Sequence, residues 1–105
     1  MTDKISVFTK RLSENPKNRF HRFNLAQAYF DAKDWEKAEE HFKKCFDEFP
    51  DWMMASLSLA KCYLALKEFS MAKEFLIKTI SLAGEQGHDS PLEEAQSLLE
   101  DCRDD

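Results

Sequence analysis

His41 and Cys45 stand four residues apart, one turn of a helix, and could offer two ligands to one metal ion. A stable site wants three or four ligands, and no third His or Cys lies near this pair in the sequence. The three cysteines, Cys45, Cys62 and Cys102, are odd in number and form no Cys-x-x-Cys pair, so the sequence supports no disulfide framework. Each falls at an apolar place in the helical pattern described below, where a free thiol acts as a small buried hydrophobe. His21 and His88 read as surface residues. The acidic clusters Glu36–Glu40 and Glu100–Asp105 read as a solvated helix face and a frayed tail. A glycine-rich phosphate loop and a serine-nucleophile turn are both missing from the sequence. The expectation is therefore a protein that is not an enzyme and that uses no cofactor and no metal.

Composition narrows the class. With 43% apolar and 33% charged residues, the 105-residue chain is globular rather than disordered. Its length suits one domain, residues 1–105, burying roughly two-thirds of the unfolded surface. A net charge of −5 argues against nucleic acid as a partner, which calls for a basic stripe. Apolar runs are too short to span a bilayer, so no membrane partner is expected. Met1 to Leu12 has no apolar stretch of the secretory kind, which predicts a cytoplasmic location.

What positions these residues is a repeat. Offset by 34 residues, Leu25 falls on Leu59, Ala26 on Ala60, Tyr29 on Tyr63, Trp35 on Phe69 and Ala38 on Ala72. Phe42 then falls on Leu76 and Phe46 on Ile80, and backwards Pro16 meets Pro50, Phe8 meets Phe42 and Leu12 meets Phe46. A period of 34 with helical spacing inside it predicts stacked helix–turn–helix units. Such units bury their apolar faces only against neighbours, and the stack leaves a curved surface for a partner.

Six helical segments follow. Residues 3–14 carry Ile5, Phe8 and Leu12 on one face and stop at Asn15-Pro16. Residues 19–32 are apolar on more than one face. Asp34 is the predicted N-cap of 35–48, and Phe49-Pro50 ends that segment. Asp51 is the predicted cap of 53–66, and 69–82 repeats the pattern of 35–48. Ala83 to Ser90, with both glycines of the chain, reads as a linker. Ser90-Pro91-Leu92-Glu93 reads as a capping box with Pro at the first helical position, opening an amphipathic capping helix over 90–103.

These residues resemble the tetratricopeptide repeat. The family has a Leu, a small residue and a Tyr in its first helix, then Ala, an aromatic, a second small residue and Pro in its second. Here these are Leu25, Ala26, Tyr29, Ala38, Phe42, Cys45 and Pro50, then Leu59, Ala60, Tyr63, Ala72, Leu76, Thr79 and Gly84. The resemblance implies an all-α, right-handed superhelical stack of antiparallel helix pairs, with about six helices. It places an N-terminal half-repeat at 3–18, repeats at 19–52 and 53–86, and the cap at 90–103. Two places depart from the pattern. Arg22 and Ser56 stand where the family has a large residue, which suggests less burial there or filling by a neighbour. Lys33 and Lys67 occupy an inter-helix turn where the family often has Gly, at about 1 kcal/mol each if the turn is left-handed.

The resemblance also implies a concave groove lined by the first helix of each pair. Its lining would be Phe20, Phe23, Asn24, Gln27, Phe30 and Asp31, then Met54, Leu57, Ser58, Lys61, Leu64 and Ala65. Half of these twelve are large and apolar, and an exposed apolar patch of that kind marks an interaction site. The expected partner is a peptide or amphipathic helix of another protein, with Lys61, Gln27 and Asn24 holding a polar group or a peptide carbonyl. The alternative is a homodimer that buries the same groove against a second copy. Neighbouring helices covering Phe20, Met54 and Leu57 would leave no groove at all. Family members that grip a chaperone's C-terminal carboxylate carry Lys and Asn where this chain has Phe23 and Gln27, so that clamp is absent. RNA binding would need cations along the groove, and Lys61 alone supplies one.

Overall fold

The computed structural model describes residues 3–102. Among them lie six α-helices and no strand: α1 (Lys4–Glu14), α2 (Arg19–Asp31), α3 (Trp35–Glu48), α4 (Met53–Ala65), α5 (Phe69–Gln86) and α6 (Asp89–Asp101). Each helix packs on the next along the chain, and α6 also reaches α4. The result is an all-α stack of helix hairpins.

The helix starts follow from local hydrogen bonding. Asp3, Asn18 and Asp34 accept from the backbone N–H groups of Ile5 (3.0 Å), Phe20 (2.9 Å) and Lys37 (3.3 Å), each satisfying a donor that the first turn leaves open. The cap expected of Asp51 is not made. Trp52 takes the N-cap place of α4 without a side-chain bond, because Asp51 stands one residue too early. The Asp51 backbone carbonyl instead accepts from Gln86 Nε2 at 2.9 Å.

The turns inside both hairpins are the same motif. Lys33 has φ of 65° and Lys67 has φ of 61°, so both lysines are left-handed. Around them Asp34 N–H donates to Tyr29 O (2.9 Å) and Lys33 N–H to Phe30 O (2.9 Å), matched by Glu68 to Tyr63 (2.8 Å) and Lys67 to Leu64 (3.1 Å). This six-to-one and five-to-two pairing is the Schellman motif, which needs φ > 0 at the residue after the cap.

The expected linker from Ala83 to Ser90 is mostly helix. Gly84 occupies the register of Pro16 and Pro50, but glycine keeps its N–H and breaks nothing by itself. The helix α5 therefore runs through Gly84 to Gln86 and ends at Gly87, left-handed with φ of 72°. The expected capping box is not formed either, since His88 is the N-cap of α6 and makes no side-chain bond. Pro91 sits in the first turn, where no N–H is needed. Leu92 is the next donor, to His88 O at 3.3 Å.

At the centre lies α4, held between α3 and α5 with nine of its 13 residues buried. Leu59, Ala60, Ala26, Ala38 and Ala72 are fully buried with Phe42 and Leu76 between them, the small residues letting helices approach closely. Ser56 is fully buried too, so of the two expectations, less burial or filling by a neighbour, the structure shows the second. Its Oγ lies 2.7 Å from Thr79 Oγ1 and 2.8 Å from Met53 O, while Thr79 Oγ1 donates to Phe75 O at 2.8 Å. A short hydroxyl chain thus replaces the bulky side chain, and both polar groups are satisfied. Arg22, at the same place one repeat earlier, is half-buried against His41.

Candidate peptide-binding groove

The first helices of the two hairpins, α2 and α4, carry the predicted lining, and the structure sorts it into three groups. Phe20 and Met54, equivalent residues 34 apart, remain open to solvent, at 53% and 40% exposure. Phe23, Phe30 and Leu64 are half-buried, with part of each side chain packed on the core. Leu57 and Ser58 are buried and so offer no free surface, a correction to the expected lining. The sequence alone could not tell them from Phe23 and Asn24, because α4 has neighbours on both sides.

The polar members are engaged within the chain. Lys61 Nζ lies 2.6 Å from Glu94 Oε2 of α6, and Gln27 Nε2 donates to Asp31 Oδ1 at 3.0 Å. Lys61 is thus paired within the chain rather than a bare cation. Asn24 is half-buried, Asp31 exposed and Ala65 half-buried.

An aromatic cluster ties α2 to the start of α4. The Trp52 ring lies 4.8 Å from Phe23, 5.7 Å from Phe20 and 6.1 Å from Phe49, and Phe23 in turn meets Phe42 edge-on at 5.2 Å. The guanidinium of Arg19 sits over three of these rings, 4.6 Å from Trp52 and 5.1 Å from both Phe20 and Phe49. Arg19, Phe49 and Trp52 lie outside the predicted lining, although the aromatic pair around Pro50 and the Arg opening α2 are visible in the sequence.

The residues that first suggested chemistry are engaged elsewhere. His41 stacks on Tyr29 with ring centroids 5.6 Å apart, and Arg22 Nη1 lies 3.0 Å from its Nδ1. Burial first, and the Arg22 charge second, lower the His41 pKa from its ordinary 6.5. Nδ1 therefore accepts from Arg22 and is not free for a metal. Burial pushes the thiols of Cys45 and Cys62 up, to about 11 and about 12, so both stay protonated and unreactive near neutral pH. Burial and the hydrogen bond that Tyr63 donates to Glu39 Oε2 (2.9 Å) raise the tyrosine pKa as well. Among the described residues no three His, Cys, Asp or Glu side chains gather as a metal site would need.

Residues 2–79 match the family model described as anaphase-promoting complex, cyclosome, subunit 3, which is of tetratricopeptide-repeat type. The chain belongs to this tetratricopeptide-repeat family. No curated protein sequence matches it. Among solved structures, the repeat stack is similar to the TPR2B domain in the pHsp70 complex of yeast Sti1. That match has a TM-score of 0.86 and 20% identity, over 93% of this chain and 78% of that one. It is similar also to the first TPR of Spaghetti (RPAP3) bound to an HSP90 peptide, with a TM-score of 0.81 and 21% identity over 93% and 73% of the two chains. The Sgt2 TPR domain from Aspergillus fumigatus gives a TM-score of 0.75 and 27% identity over 96% and 74%. Tetratricopeptide-repeat structure thus accounts for all six helices, and the small residues at Ala26, Ala38, Ala60 and Ala72 are its packing signature.

Proposed function

We propose that this tetratricopeptide-repeat protein is an interaction module, not a catalyst, and that it holds a peptide or helix of a partner protein along its concave face. Residues 19–52 and 53–86 form its two full repeats, with the helices on either side completing the stack. The observation that carries the reading is the pair Phe20 and Met54, large apolar side chains left exposed at equivalent places on α2 and α4. Exposed apolar side chains so placed suit the anchors of an amphipathic helix or an extended segment. Phe23 lies about a turn from Phe20. Phe30 and Leu64 extend the apolar surface nearly three turns further along α2 and α4, and Asn24, Gln27 and Lys61 supply polar groups. Two findings support this reading: similar solved domains are seen in a pHsp70 complex and bound to an HSP90 peptide, and the matching family is named for a subunit of a multi-protein complex. Phe23 and Gln27 stand where a carboxylate clamp would need Lys and Asn, so the partner contact is chiefly apolar.

The test compares wild type with Phe20→Glu/Met54→Glu by light scattering behind size-exclusion chromatography, followed by selection of a random twelve-residue peptide library on phage. A monomer that enriches related peptides, and a folded double mutant that does not, supports the reading. A wild-type dimer that the double mutant converts to a folded monomer means that a second copy fills the groove. Identical peptide enrichment by both proteins would move the binding site elsewhere.

A further inference from the structure

We infer that Arg19 is an anion-reading subsite at the edge of the groove, and that the segment it recognises places an acidic side chain beside its bulky apolar anchor. This rests on the groove reading above and names the chemistry of its occupant.

The argument starts from the rings. Phe20, Phe49 and Trp52 surround the Arg19 guanidinium at 4.6–5.1 Å from their centroids, and the side chain is partly buried. Such cation–π contacts hold the group against the rings and shield part of it from water. Its charge is met by rings alone: among the described residues no carboxylate lies within ion-pair distance of Arg19 and no hydrogen bond engages its side chain. Other charged residues near the groove are spent on their own chain, as Lys61 is on Glu94. A guanidinium that is fixed, partly desolvated and unpaired offers a two-pronged match to a carboxylate. A mobile, fully hydrated lysine would offer far less.

The place of this charge in the molecule is consistent. The first 22 residues carry six Lys and Arg against two acidic residues, whereas the other 83 carry nine against 18. Charge complementarity thus favours an acidic group toward the N-terminal part of the stack, where Arg19 lies. The cage ring Phe20 is itself the exposed apolar contact. Carboxylate and apolar anchor must therefore be near neighbours in the bound segment.

The test uses the same twelve-residue phage library on the full chain, selected against wild type, Arg19→Gln and Arg19→Lys, with circular dichroism to show that each variant is folded. Wild type is expected to enrich Asp or Glu within two residues of a bulky apolar residue. Arg19→Gln should keep the apolar preference and lose the acidic one, and Arg19→Lys should fall between. A synthetic peptide from the wild-type pool should then bind Arg19→Gln on the order of tenfold more weakly, with a shallower salt dependence. Apolar enrichment without acidic preference, or an acidic preference that survives Arg19→Gln, overturns the inference and leaves the groove standing. A library that yields no peptide sensitive to Phe20→Glu/Met54→Glu overturns both.

Discussion

Two lysines show how a local rule is broken when the fold demands it. Lys33 and Lys67 are left-handed because each hairpin closes through a Schellman turn, and a Cβ in that region is strained. Replacing either by Gly removes the strain but loosens the unfolded chain, so each should gain about 0.5–1 kcal/mol in urea unfolding. A loss in both variants would mean that the lysine side chains do more than tolerate the turn. His41 makes a second prediction. Its folded pKa lies below the ordinary 6.5, so the unfolded chain takes up the proton first. Its contribution is complete above pH 6.5 and is lost as pH falls from there toward the folded value. Thermal midpoints of wild type should fall below pH 6.5 more steeply than those of His41→Gln. Parallel profiles would show that burial against Tyr29 and Arg22 costs the imidazolium nothing.

Among the elements, α5 departs furthest from its sequence reading. Glycine at 84 was expected to help break the helix, yet only proline removes the backbone donor, and α3 and α1 end beside prolines at the equivalent register. The extra turn lets Gln86 reach back to the Asp51 carbonyl. A Cβ added at Gly84 would meet nothing within 4 Å. Gly84→Ala should therefore stabilise the protein by roughly 0.5–1 kcal/mol through helix propensity, read as a higher urea midpoint at unchanged slope. A destabilised Gly84→Ala would place a bend at that residue. The contrast between α2 and α4 has the same kind of origin. Both begin at one register, but α4 lies inside the stack, and its Leu57 is core where Phe23 keeps an open edge.

At the scale of the molecule, a stack whose helices touch mainly their neighbours is held unevenly. No residue of α1 is buried and it packs chiefly on α2, whereas α4 is enclosed by α3, α5 and α6. Amide exchange should be fastest in α1 and slowest in α4, with α5 close behind, since end units lack one neighbour's contribution. Uniform protection along the chain would instead mean that 39 Å of stacked helices unfold as a single unit.

The period of 34, the helical spacing within it and the alternation of small and large residues were enough to read an all-α repeat stack and its two hairpin turns. These are local and nearest-neighbour properties, written in the type of side chain at each register. The packed structure was needed for whatever depends on which neighbours a helix has. It buried Leu57 and Ser58, occupied Lys61 with Glu94, paired Ser56 with Thr79, and drew Arg19 under rings from Phe20, Phe49 and Trp52. Those partners lie up to 33 residues apart in the chain. No periodicity within one helix encodes such meetings, because they follow from how the hairpins lie against each other.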